Sequence, residues 1–151
     1  MGSADFLLKN SGFKDLATAD ADALSSVCAE ESFKAGAIIF PEDGPGDKMY
    51  VVKSGSVKIT KKVKEVENTL AVISPGEFFG EMALLDGMPR SAASKAASDT
   101  VVLTITRENY QALRLKSPQT ALKIMDILVK VLSGRLRQAN KNLEVISFWI
   151  E

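Results

Sequence analysis

The sequence predicts a mainly β domain with helices on both flanks, and three observations carry that prediction. Between residues 36 and 105, short β-rich runs alternate with turn chemistry. Residues 4–33 instead show apolar positions at helical spacing, and residues 106–150 hold a long apolar stripe with almost no helix breakers. Short strands between regular turns suggest an antiparallel barrel or sandwich.

In the first zone, Thr18 is a candidate N-cap, with Asp20 and Asp22 in the first turn where the helix dipole favours acids. Ala21, Leu24 and Val27-Cys28 then recur at helical spacing. In the middle zone the strand candidates are 38–40, 49–53, 56–63, 69–73 and 100–105. Gly36, Pro41 to Gly46, Ser54-Gly55, Ser74-Pro75-Gly76 and Gly87 to Pro89 separate them. Within Val57-Lys58-Ile59-Thr60-Lys61 apolar and polar residues alternate strictly, as a half-buried strand requires.

The last zone predicts a helix over Arg107 to Lys116, then Ser117 as N-cap and Pro118 at the first position of a second helix. Along that helix Met125, Val129, Leu132, Leu136, Ala139, Leu143, Ile146 and Ile150 follow in alternating steps of four and three. Such a stripe is longer than one barrel can cover. It predicts a partner helix, most simply supplied by a homodimer through helix 118–150.

Composition narrows the function. The chain has 151 residues, is 46% hydrophobic and carries 19 basic and 19 acidic side chains, so its net charge is zero. Bulk nucleic-acid binding, which needs many neutralised phosphates, is disfavoured, although a local basic pocket for one small anion is not. With no histidine, the commonest metal ligand and general base is missing, which argues against a metal site and against an enzyme. The single cysteine, Cys28, sits in an apolar stretch and reads as a small core residue rather than a reactive thiol. No apolar run approaches the roughly 20 residues needed to span a bilayer, and the start has no basic-then-apolar leader, so a cytoplasmic protein with no membrane partner is expected.

The chemistry concentrates in residues 78–93: Phe78-Phe79-Gly80-Glu81-Met82-Ala83-Leu84-Leu85-Asp86-Gly87-Met88-Pro89-Arg90-Ser91-Ala92-Ala93. A helical turn after Gly80 would present free amides and a positive dipole end to an anion. Arg90 can give two parallel hydrogen bonds to a phosphate, and Ser91 adds a hydroxyl and an amide. Glu81, an acceptor when ionised, suits a sugar hydroxyl. Ala92 and Ala93 leave room for a ligand against the barrel wall.

This segment closely resembles the phosphate-binding cassette of cyclic nucleotide-binding domains, the family of bacterial catabolite activators, kinase regulatory subunits and cyclic-nucleotide-gated channels. Phe79-Gly80-Glu81-Met82-Ala83-Leu84-Leu85 and Pro89-Arg90-Ser91-Ala92 fit its pattern at each key place. Gly36 to Phe40, Gly44-Pro45-Gly46-Asp47, Met49-Tyr50-Val51-Val52 and Ser54-Gly55-Ser56-Val57 resemble the family's first strands, so the resemblance covers about residues 12–147.

The resemblance implies one domain over residues 1–151: N-terminal helices (4–33), an eight-stranded antiparallel β-roll of jelly-roll-like, double-stranded β-helix form (36–105), and C-terminal helices ending in a long one (106–150). It implies that Arg90 pairs with the cyclic phosphate, helped by the Ser91 hydroxyl and the backbone amides near Ala83 and Ala92. Glu81 and the Gly80 backbone would take the ribose 2′-hydroxyl, and Val72, Phe79 and Met82 would form apolar walls. Matching Arg135-Leu136 to the equivalent pair of the bacterial activators places Ala139 and Asn140 near the purine edge. The implied ligand is regulatory rather than a cofactor, cAMP in preference and cGMP as the second candidate, because serine after the cassette arginine is typical of bacterial cAMP activators. No recognition helix follows the long helix, so direct DNA binding by this chain is not expected. The rival reading keeps the same fold as a ligand-free structural or dimerisation domain, against which the presence of both Glu81 and Arg90 counts.

Overall fold

The computed structural model describes residues 2–10 and 12–150, with side chains at 2–9 and 12–142. Its elements run α1 (Ser3–Asn10), α2 (Thr18–Ser26), β1 (Ala29–Phe33), β2 (Ile38–Phe40), β3 (Lys48–Ser54), β4 (Val57–Val63), β5 (Val66–Ile73) and β6 (Phe78–Phe79). After these come α3 (Met82–Leu85), β7 (Ala93–Ala96), β8 (Thr100–Thr106), α4 (Arg107–Lys116) and α5 (Pro118–Ile150). Eight strands form two four-stranded sheets, β1-β8-β3-β6 and β2-β7-β4-β5, with every pairing antiparallel. The β-roll between flanking helices is therefore present as expected.

The alternation in β3 explains how one sheet serves two cores. Met49 and Val51 point to the helices and join Phe13, Leu24, Leu103, Ile105, Ile124 and Leu128. Tyr50 and Val52 point the other way, into the roll, with Phe40, Val57, Ile73, Phe79 and Val102. A strand buried on both faces reads as a continuous apolar run, which is what Met49-Tyr50-Val51-Val52 is.

Several expectations need correction. The first zone is not wholly helical: Ala29–Phe33 pairs with β8 as a strand, although its sequence, AEESF, has little apolar alternation. Strand β7 went unforeseen because Ala93-Ser94-Lys95-Ala96 lacks β-branched and aromatic residues; it is held by pairing with β2 and β4. Thr18 is not a cap. Ala17 occupies the N-cap and makes no side-chain capping bond. The fifth strand starts at Val66 rather than 69, because Lys64 and Glu65, with φ of 52° and 69°, close a two-residue hairpin that contains no glycine to announce it. Helix α4 has the expected bounds and is capped by Thr106, whose hydroxyl accepts from the Asn109 amide at 3.1 Å.

Helix α5 follows the expected course from Pro118. Its docked face is Ala121, Ile124 and Leu128, all buried, while Val129 and Leu136 of the sequence stripe stay exposed. Leu143, Ile146 and Ile150 lie outside the residues whose side chains are described. Asp20 fastens α5 to α2: it accepts from the Thr120 hydroxyl at 2.5 Å and from Lys123 Nζ at 2.7 Å. Tyr110 donates to the Ala121 carbonyl at 3.1 Å and ties α4 to the same turn. Cys28 donates from Sγ to the Leu24 carbonyl, and burial pushes its thiol up to about 12, so it is held as the inert thiol expected.

The bonds from Lys123 and Thr120 hold the Asp20 carboxyl below its usual pKa. A carboxyl more acidic in the folded than in the unfolded chain stabilises the fold above the unfolded value of about 4 and loses that contribution as pH falls through the folded value. Asp20→Asn should therefore lower the melting temperature by a few degrees at pH 7. Thermal unfolding should show the gap between mutant and wild type closing as the pH drops below about 4.

Candidate functional site

Two loops meet at the open end of the roll. The segment after β2 is zipped to the segment before β7: the Asp43 amide donates to the Arg90 carbonyl at 2.9 Å, and the Arg90 amide donates to the Gly44 carbonyl at 2.8 Å. Arg90 is thus fixed on both sides of its α-carbon. Beneath lies an aromatic platform in which Tyr50 and Phe79 stack at 4.8 Å and 8°, with Phe40 5.8 Å from Tyr50 and 6.0 Å from Phe79.

The Arg90 guanidinium lies 4.1 Å above the Phe40 ring and is only 6% exposed. Nη1 donates to the Gly80 carbonyl at 3.0 Å and Nη2 to the Lys48 carbonyl, while Nε is buried with no hydrogen-bond partner among the described residues. The nearest carboxylate, Asp47, stands 3.8 Å away and is well exposed. Burial draws the Arg90 pKa down from its usual value, opposed by Tyr50 and then Asp47, yet a guanidinium stays charged throughout the physiological range. A buried cation satisfied by carbonyl dipoles and one distant acid has capacity left for an anion.

Glu81 is 4% exposed and sits at the N-cap of α3, but its carboxylate caps nothing. It instead receives Arg135 Nη1 from α5, while Arg135 Nη2 donates to the Phe78 carbonyl at 2.7 Å. The long helix is thereby pinned to the cassette through one side chain.

Arg90 and Glu81 both line a cavity of about 260 Å³, walled by Phe40, Ile59, Ala71 and Ile73 and bordered by residues 79–83, 86 and 88–92 together with Arg135. Of the predicted site residues, the structure gathers Phe79, Gly80, Glu81, Met82, Ala83, Arg90, Ser91, Ala92 and Arg135 around this one space. The Ala83 amide is engaged by the Gly80 carbonyl at 3.2 Å.

Four predicted wall residues are not there. Val72 is 54% exposed on the outer face of the sheet, because Ala71 and Ile73 take the inward positions of β5. Leu136, 63% exposed, Ala139 and Asn140 are not among the residues lining the cavity; among the described residues of α5, Arg135 alone lines it. Sequence reasoning missed Phe40, Ile59, Ala71 and Ile73; strand parity, with Ile59 opposite Ala71 and Val57 opposite Ile73, is the signal that could have found those of β4 and β5.

Comparison with known proteins agrees with this architecture. The family profile "Cyclic nucleotide-binding domain" matches residues 30–117. Over 137 residues the chain is 36% identical to the "Cyclic AMP receptor protein" of Thermus thermophilus, covering 90% of this chain and 62% of that protein. It is 38% identical over 93 residues to the "cAMP-dependent protein kinase regulatory subunit" of Aspergillus fumigatus, covering 62% of this chain and 21% of that one. The crystal structure of the Thermus thermophilus catabolite activator protein superposes with a TM-score of 0.78 at 38% identity, over 91% of this chain and 63% of that one. A β-roll whose cassette arginine and glutamate share one cavity, with this profile match, defines a regulatory ligand-binding fold. The chain belongs to the cyclic nucleotide-binding domain family. It spans less than two thirds of the length of these curated relatives. Among the described residues, no helix is long and apolar enough to cross a membrane.

Gly80 makes the Arg90 geometry possible. Its φ is +71°, and a Cβ there would stand 2.8 Å from Arg90 Nη1. Gly80→Ala should cost about 1–2 kcal/mol in denaturant unfolding from the left-handed backbone alone, and more if Arg90 cannot move aside.

Proposed function

We propose that the chain is a cyclic nucleotide sensor that prefers cAMP, with Arg90 holding the cyclic phosphate and Glu81 the ribose 2′-hydroxyl. The observation that carries this reading is the buried Arg90, whose Nε has no partner among the described residues and which lines one cavity with a buried carboxylate. A cyclic sugar-phosphate presents an anion at one end and a hydroxyl donor at the other, matching the two groups in sign. Ser91 and Ala92 border the same space, and the Ser91 hydroxyl and the Ala92 amide would assist at the phosphate. Phe79 and Met82 supply apolar surface beside the sugar.

The signal would leave through Arg135. A ribose hydroxyl that donates to Glu81 competes for the carboxylate that Arg135 now holds, so ligand and α5 share one acceptor. Helix α5 would carry the change to a second copy through its exposed stripe, which includes Val129 and Leu136, or to an attached effector.

Titration calorimetry with cAMP and cGMP side by side tests the assignment. Arg90→Ala should cost roughly 2–5 kcal/mol of binding, about 30-fold or more in Kd, because it removes a buried charged partner of the phosphate. Unchanged affinity in that mutant would refute it. Saturation at 100 times Kd should also stabilise the wild type by about 2.7 kcal/mol in thermal unfolding.

A further inference from the structure

Lys61, on β4, stands outside the cavity yet holds one of its edges. Its Nζ donates to the Ser91 carbonyl at 3.2 Å and lies 3.6 Å from Glu42 Oε1. Glu42 precedes the Asp43-Gly44 segment whose backbone grips Arg90, so this one ammonium ties β4 to both loops of the open end. Ser91 and Ala92 line the cavity, whereas Lys61 does not. The Ser91 carbonyl and the Ala92 N–H belong to one peptide group, and no peptide bond among the described residues is cis. In a planar trans peptide these two groups point in opposite directions. A carbonyl turned to Lys61 therefore sends the Ala92 N–H away from Lys61. A carbonyl that accepts from a cation is also polarised, which makes the N–H of the same peptide a stronger donor.

We infer that Lys61 is a positioning residue for the phosphate seat: it fixes the Ser91–Ala92 peptide with the Ala92 N–H turned to the ligand, and does not itself touch the ligand. This role rests on the cyclic nucleotide reading given above, in which the Ala92 amide donates to the cyclic phosphate. Lysine suits it, because a compact ammonium with three donors can serve a carbonyl and a carboxylate at once. The Lys61 side chain is 46% exposed and that of Glu42 32%, so water screens the contact and its effect on affinity is modest.

Two substitutions test it in the full chain. Lys61→Met keeps most of the stem and removes the donors, and Lys61→Arg restores a cation that can donate to a carbonyl. In calorimetry Lys61→Met should bind about three- to five-fold more weakly, as expected for a partly exposed charged contact. The loss should be equal for cAMP and cGMP, because the base is not involved, and Lys61→Arg should recover most of it. In amide spectra of the ¹⁵N-labelled, unliganded protein, the Ala92 resonance should move in Lys61→Met and return toward its wild-type place in Lys61→Arg. A contribution to stability alone would not produce that pattern. Unchanged affinity in Lys61→Met, with the wild type binding normally, would overturn the positioning role and leave the Arg90 assignment standing. So would a loss of affinity with the Ala92 resonance unmoved, the mark of a charge acting at a distance. A wild type that binds neither nucleotide would overturn both readings.

Discussion

The architecture of the open end of the roll depends on one buried guanidinium. Arg90 reaches inward from a loop, lies on the Phe40 ring and bonds to the carbonyls of Gly80 and Lys48. Burying a cation is costly unless its donors are occupied, so the surrounding backbone is arranged as acceptors. Gly80 takes a positive φ and brings its carbonyl to Nη1. The 43–44 segment clamps the Arg90 backbone, and Gly46 has no side chain to strike the Met88 carbonyl. Sheet, aromatic platform and both loops thus serve one side chain, and they still leave Nε unpaired among the described residues.

Helix α5 depends on the same site from the other direction. Its N-terminal half is anchored by Asp20, Ala121, Ile124 and Leu128, which tie it to α2 and the helical core. Farther along, Arg135 holds the helix to Glu81 and Phe78, and residues 134–142 are otherwise exposed. Among its described residues the helix is fixed firmly near its start and by the Arg135 side chain farther along, which has the form of a lever. In the proposed function, this is where ligand chemistry becomes movement.

Much of this was legible in the sequence, for identifiable reasons. The cassette is contiguous, so Gly80, Glu81, Arg90, Ser91 and Ala92 could be gathered by reading along the chain, and the structure places them around one cavity. Helices α4 and α5 were legible because Ser117-Pro118 punctuates them and apolar spacing runs through them. What failed was long-range or parity-dependent. Strands β1 and β7 owe their conformation to their partners, not to their composition. Val72 came with the resemblance rather than from strand parity, and the pairing of Ile59 with Ala71 and Val57 with Ile73 gives the inward positions to its two neighbours. Leu136, Ala139 and Asn140 were placed by aligning α5 to relatives, whereas among the described residues of α5 it is Arg135 that lines the cavity.

The Nε of Arg90, unpaired among the described residues, can be observed directly. In a ¹⁵N-labelled sample, the Arg90 Nε–H resonance, assigned by its loss in Arg90→Lys, should move on saturation with cAMP and stay in place with adenosine, which has the base and sugar but no phosphate. A resonance left unmoved by saturating cAMP, or displaced equally by adenosine, would contradict the claim that this guanidinium is the seat of the cyclic phosphate.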